Sequence, residues 1–294
     1  MISSVTNTSV INATRYLNKS QSKLDTIYKR LSSGLRINSA KDDAAGLQIS
    51  NRLTSQIDGL KQGNKNAATG LAFSQTVEGA LDETTEMLQK IRTLANQAAT
   101  GTNTTAERTA IQSQVDQLCS EITRISCKTT FAGQKVLAGA GKGLVAADGK
   151  VTFQVGANAN DTISVSLSAG FSMTGIATMA KNASTALIDH NGIKSFSVST
   201  AASAQSTLEN IDKFIASVDA SRGQLGAVQN RLESTISNQE NIVENETEAR
   251  AKIRDTDYAE EAANLTAQNI IQQMASAMLT QGNARGQIAL QLLQ

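Results

Sequence analysis

The chain has 294 residues, contains no proline and no tryptophan, and draws only 3% of its residues from the aromatic types. Large aromatic side chains line most ligand pockets, so their scarcity argues against a deep pocket, and the absence of proline permits long uninterrupted helices. The 27 basic and 26 acidic residues give a formal net charge of +1, so the composition gives no support for nucleic-acid binding, which relies on an excess of basic residues. No apolar run is long enough to cross a bilayer, so we expect no membrane insertion.

Both ends of the chain carry the spacing of amphipathic helices. Near the N-terminus, apolar residues alternate at intervals of three and four, with Ser20 at one weak position: Val10, Ala13, Leu17, Leu24, Ile27 and Leu31. A comparable row near the C-terminus is interrupted by Gln281: Ala263, Ala267, Ile270, Met274, Ala277, Ala284, Ile288 and Leu292. Such narrow rows have to be covered by another helix, which predicts a helical partner for each end of the chain.

The next periodicity predicts an antiparallel helical hairpin. Residues 44–99 form one nearly continuous helical pattern, which four glycines are expected to soften by roughly 0.8–1 kcal/mol each relative to alanine: Gly59, Gly63, Gly70 and Gly79. A turn at residues 101–103 ends this pattern. Thr104, with Glu107 three residues later, then predicts a capping box at the start of a second helix that reaches about residue 127.

The middle of the chain changes from helical to strand periodicity. Apolar and polar residues alternate at 151–155 and 163–167, which predicts a β-hairpin at about 150–168. Residues 170–205 are rich in small and polar types and predict loops with short strands, and an apolar repeat over 206–254 predicts a last long helix. The predicted fold is therefore mainly α, a long antiparallel helical bundle or coiled coil with a small β-hairpin subregion.

The residue types that carry catalysis or bind metals are not grouped in a known pattern. The sequence has no His-Glu-x-x-His, no Gly-x-x-x-x-Gly-Lys-Ser/Thr and no Gly-x-Ser-x-Gly motif, and its single histidine, His190, is expected in a solvated turn. The pairs Asp42–Asp43 and Glu260–Glu261 would point about 100° apart on a helix, so neither converges on one bond. We therefore expect no catalytic site, no cofactor and no metal.

The two cysteines, Cys119 and Cys127, lie in one predicted helix. Eight residues of helix separate them by about 12 Å, which is too far for an intramolecular disulfide. We expect two small thiols that are buried or half-buried.

Several segments of the sequence resemble those of a known family. Residues 31–47, Leu-Ser-Ser-Gly-Leu-Arg-Ile-Asn-Ser-Ala-Lys-Asp-Asp-Ala-Ala-Gly-Leu, are similar to the N-terminal signature of bacterial flagellins, and the match is nearly unbroken over residues 31–54. Shorter segments that resemble flagellins follow at 75–81, 130–137, 154–158 and 249–259. The resemblance covers roughly residues 1–170 and 206–294.

The resemblance implies a structural subunit that polymerises with copies of itself into the extracellular flagellar filament. It implies an inner domain in which the terminal helices pair, residues 1–43 with 255–294, and an outer helical bundle with the hairpin over residues 44–254. Only residues 170–205 separate the hairpin from the last long helix, so we expect the minimal form without large surface domains. Flagellins leave the cell unfolded through the flagellar type III apparatus, which agrees with an N-terminus that lacks a signal-peptide pattern. Expected partners are the export chaperone, the filament cap and the hook-junction proteins.

The resemblance also implies two candidate sites. Five residues are expected to set the junction where the inner and outer domains meet, with ordinary solvated helix ends as the alternative: Asp42, Asp43, Arg254, Asp255 and Asp257. A second patch resembles the part of flagellin that the vertebrate Toll-like receptor 5 binds: Gln89, Lys90, Arg92, Leu94 and Gln97, with Gln114 on the antiparallel helix. Many family members have arginine in place of Lys90, and a lysine offers a point charge rather than a planar fork, so we expect weakened contacts there.

Two other classes of protein account for part of the pattern. A hook–filament junction protein shares the terminal helices, but such relatives usually carry proline near the Asp42–Asp43 signature, where this chain has Ala44 and Ala45. A coiled-coil signalling or adhesion module accounts for the helical periodicity but not for the two terminal signatures, and it predicts a membrane anchor. The sequence therefore favours a filament subunit.

Overall fold

The computed structural model describes residues 7–180, 187–190 and 192–291. Its elements, in chain order, are α1 (Thr8–Ser33), α2 (Ala44–Ala99), α3 (Thr105–Lys128), β1 (Thr130–Phe131), β2 (Gln134–Lys135), β3 (Lys150–Gln154), β4 (Thr162–Ser166), α4 (Met173–Met179), β5 (Leu187–His190), β6 (Ile193–Phe196), α5 (Ala201–Arg254) and α6 (Tyr258–Gln291). The chain forms two compact units, a terminal unit (Met1–Ile57 with Glu244–Gln294) and a central unit (Asp58–Val243). The predicted fold class, mainly α with small antiparallel strand pairs, is confirmed.

In the terminal unit, α1 begins and ends at residues suited to helix ends. The side chain of Asn7 accepts a hydrogen bond from the Val10 N–H at 3.3 Å, which satisfies one of the free donors of the first turn. At the other end Gly34 adopts a left-handed conformation, with φ of 72°, and its N–H donates to the Arg30 carbonyl. The helix thus ends at a position where any residue with a Cβ would be strained.

Polar contacts from α1 and its capping residue Asn7 to α6 fix the register of this antiparallel pair. The Asn7 amide donates to the Gly282 carbonyl at 3.0 Å, and the Gln268 amide donates to the Ser20 hydroxyl at 2.8 Å. At the far end an Arg30 guanidinium nitrogen lies 2.7 Å from a Glu261 carboxylate oxygen. Ser20, which interrupts the apolar row in the sequence, is therefore a buried contact that disfavours other registers.

The row of α6 that faces α1 is not the apolar row that the sequence suggests. The buried and half-buried positions repeat at intervals of four and three and include the residues that contact α1: Glu261, Leu265, Gln268, Gln272, Ala275, Leu279 and Gly282. Most of the row predicted to need a partner is instead exposed, with Ile270 and Met274 at 55% and 61%, while Ala284 of the same row is half-buried. Apolar residues and alanines occur on several sides of α6, so their spacing alone does not select the face that pairs. In the predicted row the side chain of Ile288, and Leu292 altogether, lie outside the described residues.

The core of the central unit lies where α2, α3 and α5 pack together. Its fully buried side chains include Phe73 and Leu88 from α2, Val115 from α3, and Ile211 and Phe214 from α5. The predicted limits of α2 and α3 agree with the structure within a residue, whereas α5 begins at residue 201 instead of 206. Long helices that bury one face against each other in this way account for a bundle that needs few aromatic residues.

The predicted capping box at the start of α3 is confirmed. The Glu107 N–H donates to the Thr104 hydroxyl at 3.3 Å, and the Glu107 carboxylate accepts from the Thr104 N–H at 2.6 Å. Hydrogen bonds from the N–H and the hydroxyl of Thr104 hold the pKa of Glu107 below its usual value. The pKa of the Glu107 carboxyl is lower in the folded than in the unfolded protein. The carboxylate therefore stabilises the fold above the ordinary glutamate pKa, and this stabilisation is lost as the pH falls through the lower pKa of the folded protein.

Replacing the capping residue, Thr104→Ala, is expected to destabilise the central unit by roughly 1 kcal/mol at neutral pH, since the first turn of α3 loses its side-chain acceptor. Urea unfolding followed by circular dichroism measures the change. The difference between the variant and the natural chain should shrink as the pH is lowered below the glutamate range, because acid removes the carboxylate half of the same box. A difference that stays constant with pH would contradict the coupling of the two residues.

The predicted β-hairpin is present as β3 and β4, with Val151 paired to Val165 and Phe153 paired to Ile163. It packs against one side of α2, where three of the four glycines lie. A Cβ built on Gly63 would overlap the Val155 carbonyl oxygen, one on Gly59 would meet Ala157, and one on Gly70 would meet the Phe153 ring. These glycines are therefore spaces for the hairpin rather than weak points of the helix, and only Gly79 has open space around it.

The segment predicted as loops with short strands, 170–205, contains the expected strands and also a short helix that was not predicted. It contains a short helix, α4, whose Met173 and Ile176 are buried, and the strand pair β5–β6, in which Asp189 pairs with Lys194. Residues 181–186 and 191 of this segment lie outside the described residues. His190 ends β5 rather than standing in a turn, and its side chain is not described.

Gln112 joins α3 to the end of β6 through its side-chain amide. The amide nitrogen donates to the Phe196 carbonyl at 2.9 Å, and the amide oxygen accepts from the Val198 N–H at 2.6 Å. The buried Gln112 amide thus takes the place of a further strand and satisfies the Phe196 carbonyl and the Val198 N–H. Nothing in the local sequence around Gln112 distinguishes it from a surface glutamine.

Candidate functional site

Asp42 closes the turn between α1 and α2. One carboxylate oxygen accepts from the Ser39 N–H at 2.9 Å, the Ser39 hydroxyl at 3.0 Å and the Asn38 N–H at 3.1 Å. These hydrogen bonds, led by those from Ser39, hold the pKa of the Asp42 carboxyl below its usual value. Asp42 is therefore a structural residue of this turn even though its side chain is exposed.

Asp43 and Asp257 each cap a helix. The Asp43 carboxylate accepts from the N–H groups of Ala45 and Gly46, both at 3.0 Å, at the start of α2. The Asp257 carboxylate accepts from the Ala259 N–H at 2.8 Å and the Glu260 N–H at 3.3 Å at the start of α6. Both carboxylates lie at the positive end of a helix dipole, as expected for acidic residues at helix starts.

Arg254 and Asp255 hold the segment after α1 against the end of α5. The Arg254 carbonyl accepts from the Arg36 N–H at 2.7 Å, and Leu35 forms a β-bridge with Asp255. All five residues predicted for the junction thus lie in the terminal unit, where they fix the turns that start α2 and α6. Whether they also set the contact between an inner and an outer domain stays a prediction.

The terminal unit contains a charged pair that sequence reasoning missed. Glu261 is buried and contacts Arg30, whereas its neighbour Glu260 is exposed. The expectation that these adjacent carboxylates point to different places agrees with the structure, but the partner is 231 positions away along the chain. Arg30 lies in line with the apolar row of α1, but Glu261 lies off the apolar row predicted for α6, so the sequence carried no signal for this pair.

Part of the predicted receptor patch lies in one shallow depression between α2 and α3. Lys90 and Leu94 of α2 and Gln114 of α3 line it, together with Thr93, Gln117 and Leu118. Leu94 is half-buried and supplies the apolar floor, while Lys90 and Gln114 are exposed at the rim. This grouping combines an apolar contact with polar groups that are free to change partners.

The remaining patch residues lie outside this depression. The Arg92 Nε donates to an Asp212 carboxylate oxygen of α5 at 2.8 Å, which leaves the rest of the guanidinium exposed. The side chains of Gln89 and Gln97 are exposed. Lys90, at the rim of the depression, has a loose partner in Glu86, with its ammonium 3.3 Å from the Glu86 carboxylate. The exposed surface pairs weaken readily in favour of a new partner, since such pairs are worth about 0–1 kcal/mol.

The two thiols have opposite environments. Cys119 is buried, and desolvation raises its pKa to about 12, while Cys127 is exposed near the end of α3. Both are free, as the predicted separation requires, but the exposure of Cys127 differs from the expected burial. No group of three histidine, cysteine, aspartate or glutamate side chains is placed to hold a metal in the described part of the chain, and no helix there could span a membrane.

Iodoacetamide is expected to alkylate only Cys127 in the folded protein at mildly alkaline pH. The thiolate is the nucleophile, and a thiol with a pKa near 12 that is shielded from solvent supplies almost none. Peptide mapping by mass spectrometry after timed exposure measures each site, with protein unfolded in urea as the control that labels both. Equal labelling rates for Cys119 and Cys127 in the folded protein would contradict the described environment.

Two family profiles match the sequence, the bacterial flagellin N-terminal helical region over residues 5–142 and the bacterial flagellin C-terminal helical region over residues 208–293. Flagellin B of Vibrio anguillarum is 34% identical over 369 aligned positions, which cover 98% of each chain. Flagellin E of Vibrio cholerae serotype O1 is 31% identical over 377 aligned positions with the same coverage. Both alignments are longer than this chain of 294 residues, so they contain gaps where this chain is shorter.

A solved structure described as a flagellar hook-associated protein from Vibrio parahaemolyticus has a similar fold, with a TM-score of 0.58. The similarity covers 73% of this chain and 100% of that chain, at 16% sequence identity. Such a low identity shows a shared fold alone and does not distinguish a filament subunit from a junction protein. The full-length sequence matches are the observations that bear on that choice.

Proposed function

This chain belongs to the bacterial flagellin family, and we propose that its two terminal helices build the core of the filament by packing against those of neighbouring copies. Flagellins are structural subunits of the flagellar filament, an extracellular appendage, and the chain is not an enzyme. It has the compact form without large outer domains. The proposed contact surface includes the exposed side of α6.

The exposed apolar row of α6 is the observation that supports this surface. Ile270, Ile271, Met274 and Met278 are between 49% and 65% exposed, on a helix whose other side already covers α1. Each Å² of apolar surface taken out of water is worth about 25 cal/mol, so burial of this row by a neighbour favours assembly. The contact has to be heterologous, since a head-to-tail contact that does not close generates a helical filament.

We also propose which parts of the chain form the inner and the outer domain of the subunit. Residues 1–43 with 255–294 act as the inner domain and residues 44–254 as the outer one, with Asp42, Asp43, Arg254, Asp255 and Asp257 at their connection. The hydrogen bonds of these five residues within the terminal unit support this role, because they hold fixed the turns through which the chain leaves α1 and enters α6. We further propose that both chain ends order fully only when neighbours cover them.

Negative-stain electron microscopy of the purified full chain, before and after addition of short filament fragments as seeds, tests the proposal. Long uniform filaments that grow from the seeds are the expected result. Monomers or short rods that persist at high protein concentration would overturn self-assembly through these helices and favour the junction-protein alternative.

Export is proposed to follow the flagellar type III route, with the chain unfolded and its N-terminus retained. Both cysteines are free, so no covalent cross-link within the chain opposes threading or refolding. The export chaperone, the filament cap and the hook-junction proteins are the proposed partners on this route. Secretion of the chain by a strain that lacks the flagellar export gate but keeps general secretion would contradict the route.

We further propose that Toll-like receptor 5 binds the patch between α2 and α3. The depression lined by Lys90, Leu94 and Gln114 supports this, together with the exposed edge of Arg92. An apolar floor with polar groups at its rim is typical of protein contact surfaces. Activation by this chain is expected to be weaker than by members with arginine in place of Lys90.

Reporter cells that express the receptor test this proposal with purified monomer. Arg92→Ala should raise the half-maximal concentration by about tenfold, whereas Lys90→Arg should lower it. Arg124→Ala is the matched control, since Arg124 is an exposed arginine of α3 that pairs with Glu121 away from the depression. A natural chain that gives no signal, or equal effects of Arg92→Ala and Arg124→Ala, would refute the proposed patch.

A further inference from the structure

The aromatic residues of this chain are divided between the two units by type. All six phenylalanines belong to the central unit and are buried or half-buried: Phe73, Phe131, Phe153, Phe171, Phe196 and Phe214. All three tyrosines belong to the terminal unit and are exposed, Tyr16 at 61%, Tyr28 at 52% and Tyr258 at 58%. The rings that could stabilise the monomer are thus phenylalanines, and the tyrosines stabilise little within it.

Two of the tyrosines flank the seam between α1 and α6. Tyr16 immediately precedes Leu17 and Tyr28 immediately follows Ile27, and both of these neighbours belong to the row of α1 that faces α6. These positions lie on opposite sides of the seam, in the places that make contacts with further helices in coiled coils. Twelve residues of helix separate the two tyrosines by about 18 Å, so they present anchor points at two levels.

The third tyrosine, Tyr258, lies beside the residue that ends α1. The hydroxyl of Tyr258, at the start of α6, lies 2.8 Å from the point that a Cβ of Gly34 would occupy. Gly34 therefore leaves the space that the phenol needs, in addition to providing the left-handed end of α1.

We infer that Tyr16, Tyr28 and Tyr258 are the anchors by which one subunit binds neighbouring copies, with each ring buried on assembly and each hydroxyl hydrogen-bonded across the interface. Tyrosine is enriched at the centres of protein interfaces because it joins a large apolar area to a polar tip at low cost in rotamer freedom. This inference rests on the proposed function and deepens it, since it names the residues that carry the contact.

A second copy of this chain is the occupant that the observations favour. The terminal unit also carries most of the other large exposed apolar side chains among the described residues, namely Ile11, Ile49, Ile270, Ile271, Met274 and Met278. The formal net charge of +1 leaves little long-range repulsion between copies. Aromatic anchors beside apolar rows on the same unit are the combination expected where helices of identical subunits pack.

The intrinsic tyrosine fluorescence of the chain measures how far these three residues are buried on assembly. It contains no tryptophan, so all emission in the tyrosine band comes from Tyr16, Tyr28 and Tyr258. Acrylamide quenching of this emission is compared between monomer and filament of the full chain. The quenching constant is expected to be about threefold or more lower in the filament, since an interface that covers anchor residues excludes solvent.

Three double tyrosine-to-phenylalanine variants, each with one tyrosine left, decide the question for each residue separately. Protection of the remaining tyrosine in filaments supports its role, and quenching as strong as in the monomer overturns it. Full chain that forms no filaments at all would overturn the proposed function and this inference with it, which is a different outcome from filaments with quenchable tyrosines.

Single substitutions measure how much each anchor contributes. Tyr28→Ser should raise the critical concentration for filament growth by about tenfold or more, and Tyr28→Phe by about two- to fivefold, since only the second keeps the ring. Ile188→Ser, at an exposed apolar residue of the central unit, is the control and should leave the critical concentration unchanged. Equal effects of Tyr28→Ser and Ile188→Ser would overturn the anchor role of Tyr28.

Discussion

Removal of residues 255–294 is expected to abolish filament growth while the central unit stays folded. The truncation deletes α6, and with it the exposed apolar row and the half of the terminal pair that covers Leu24 and Ile27 of α1. The central unit contains its own buried core, in which every fully buried phenylalanine lies. Sedimentation and electron microscopy measure assembly, and thermal melting followed by circular dichroism measures folding.

A full-length variant separates the two roles of α6. Ile270→Ser combined with Met274→Ser changes only the exposed row and keeps the contacts of Ser20 and Arg30 with α6. The critical concentration should rise by roughly tenfold or more with an unchanged melting midpoint of the central unit. Truncated chains that still polymerise, or a double variant that assembles like the natural chain, would show that the contact lies elsewhere.

Alanine in place of Gly63 is expected to destabilise the central unit by roughly 2 kcal/mol, against the usual benefit of alanine in a helix. The added methyl would overlap the Val155 carbonyl oxygen, which also accepts a hydrogen bond from the Gln239 amide at 2.8 Å. A backbone group that is held on both sides cannot move aside as the end of a flexible side chain would. The hairpin β3–β4 therefore has to shift away from α2 or α2 has to bend.

Gly79→Ala is the matched control, since Gly79 lies in the same helix with open space around it. There the substitution should stabilise the unit by about 1 kcal/mol, the ordinary difference between the two residues in a helix. Guanidinium unfolding of both variants beside the natural chain measures the two changes. If both substitutions stabilise the protein, the close approach of the hairpin to α2 is wrong.

Local sequence determines the helices of this protein and the positions of their ends. The spacing of apolar residues predicts the limits of α2 and α3, because a helix of several turns repeats its pattern within one segment. The capping box of Thr104 and Glu107 is equally local, since the two residues are three positions apart. The family resemblance depends on short motifs of the same kind, and it predicts the filament role that the full-length comparisons support.

Contacts between distant segments were decided by the tertiary structure alone. The pattern of α6 does not indicate which of its faces packs against α1, because the face that does so carries Glu261, Gln268 and Gln272 while the more apolar row stays exposed. Gly63 and Gly79 are the same residue in the same helix, and only the position of the hairpin leaves no room for a Cβ at the first and open space at the second. The pairing of Arg30 with Glu261 likewise joins positions 231 residues apart, and neither local sequence carries a trace of the other. Spacing encodes what a segment does by itself, whereas the partner of a side chain is set by the fold that brings the segments together.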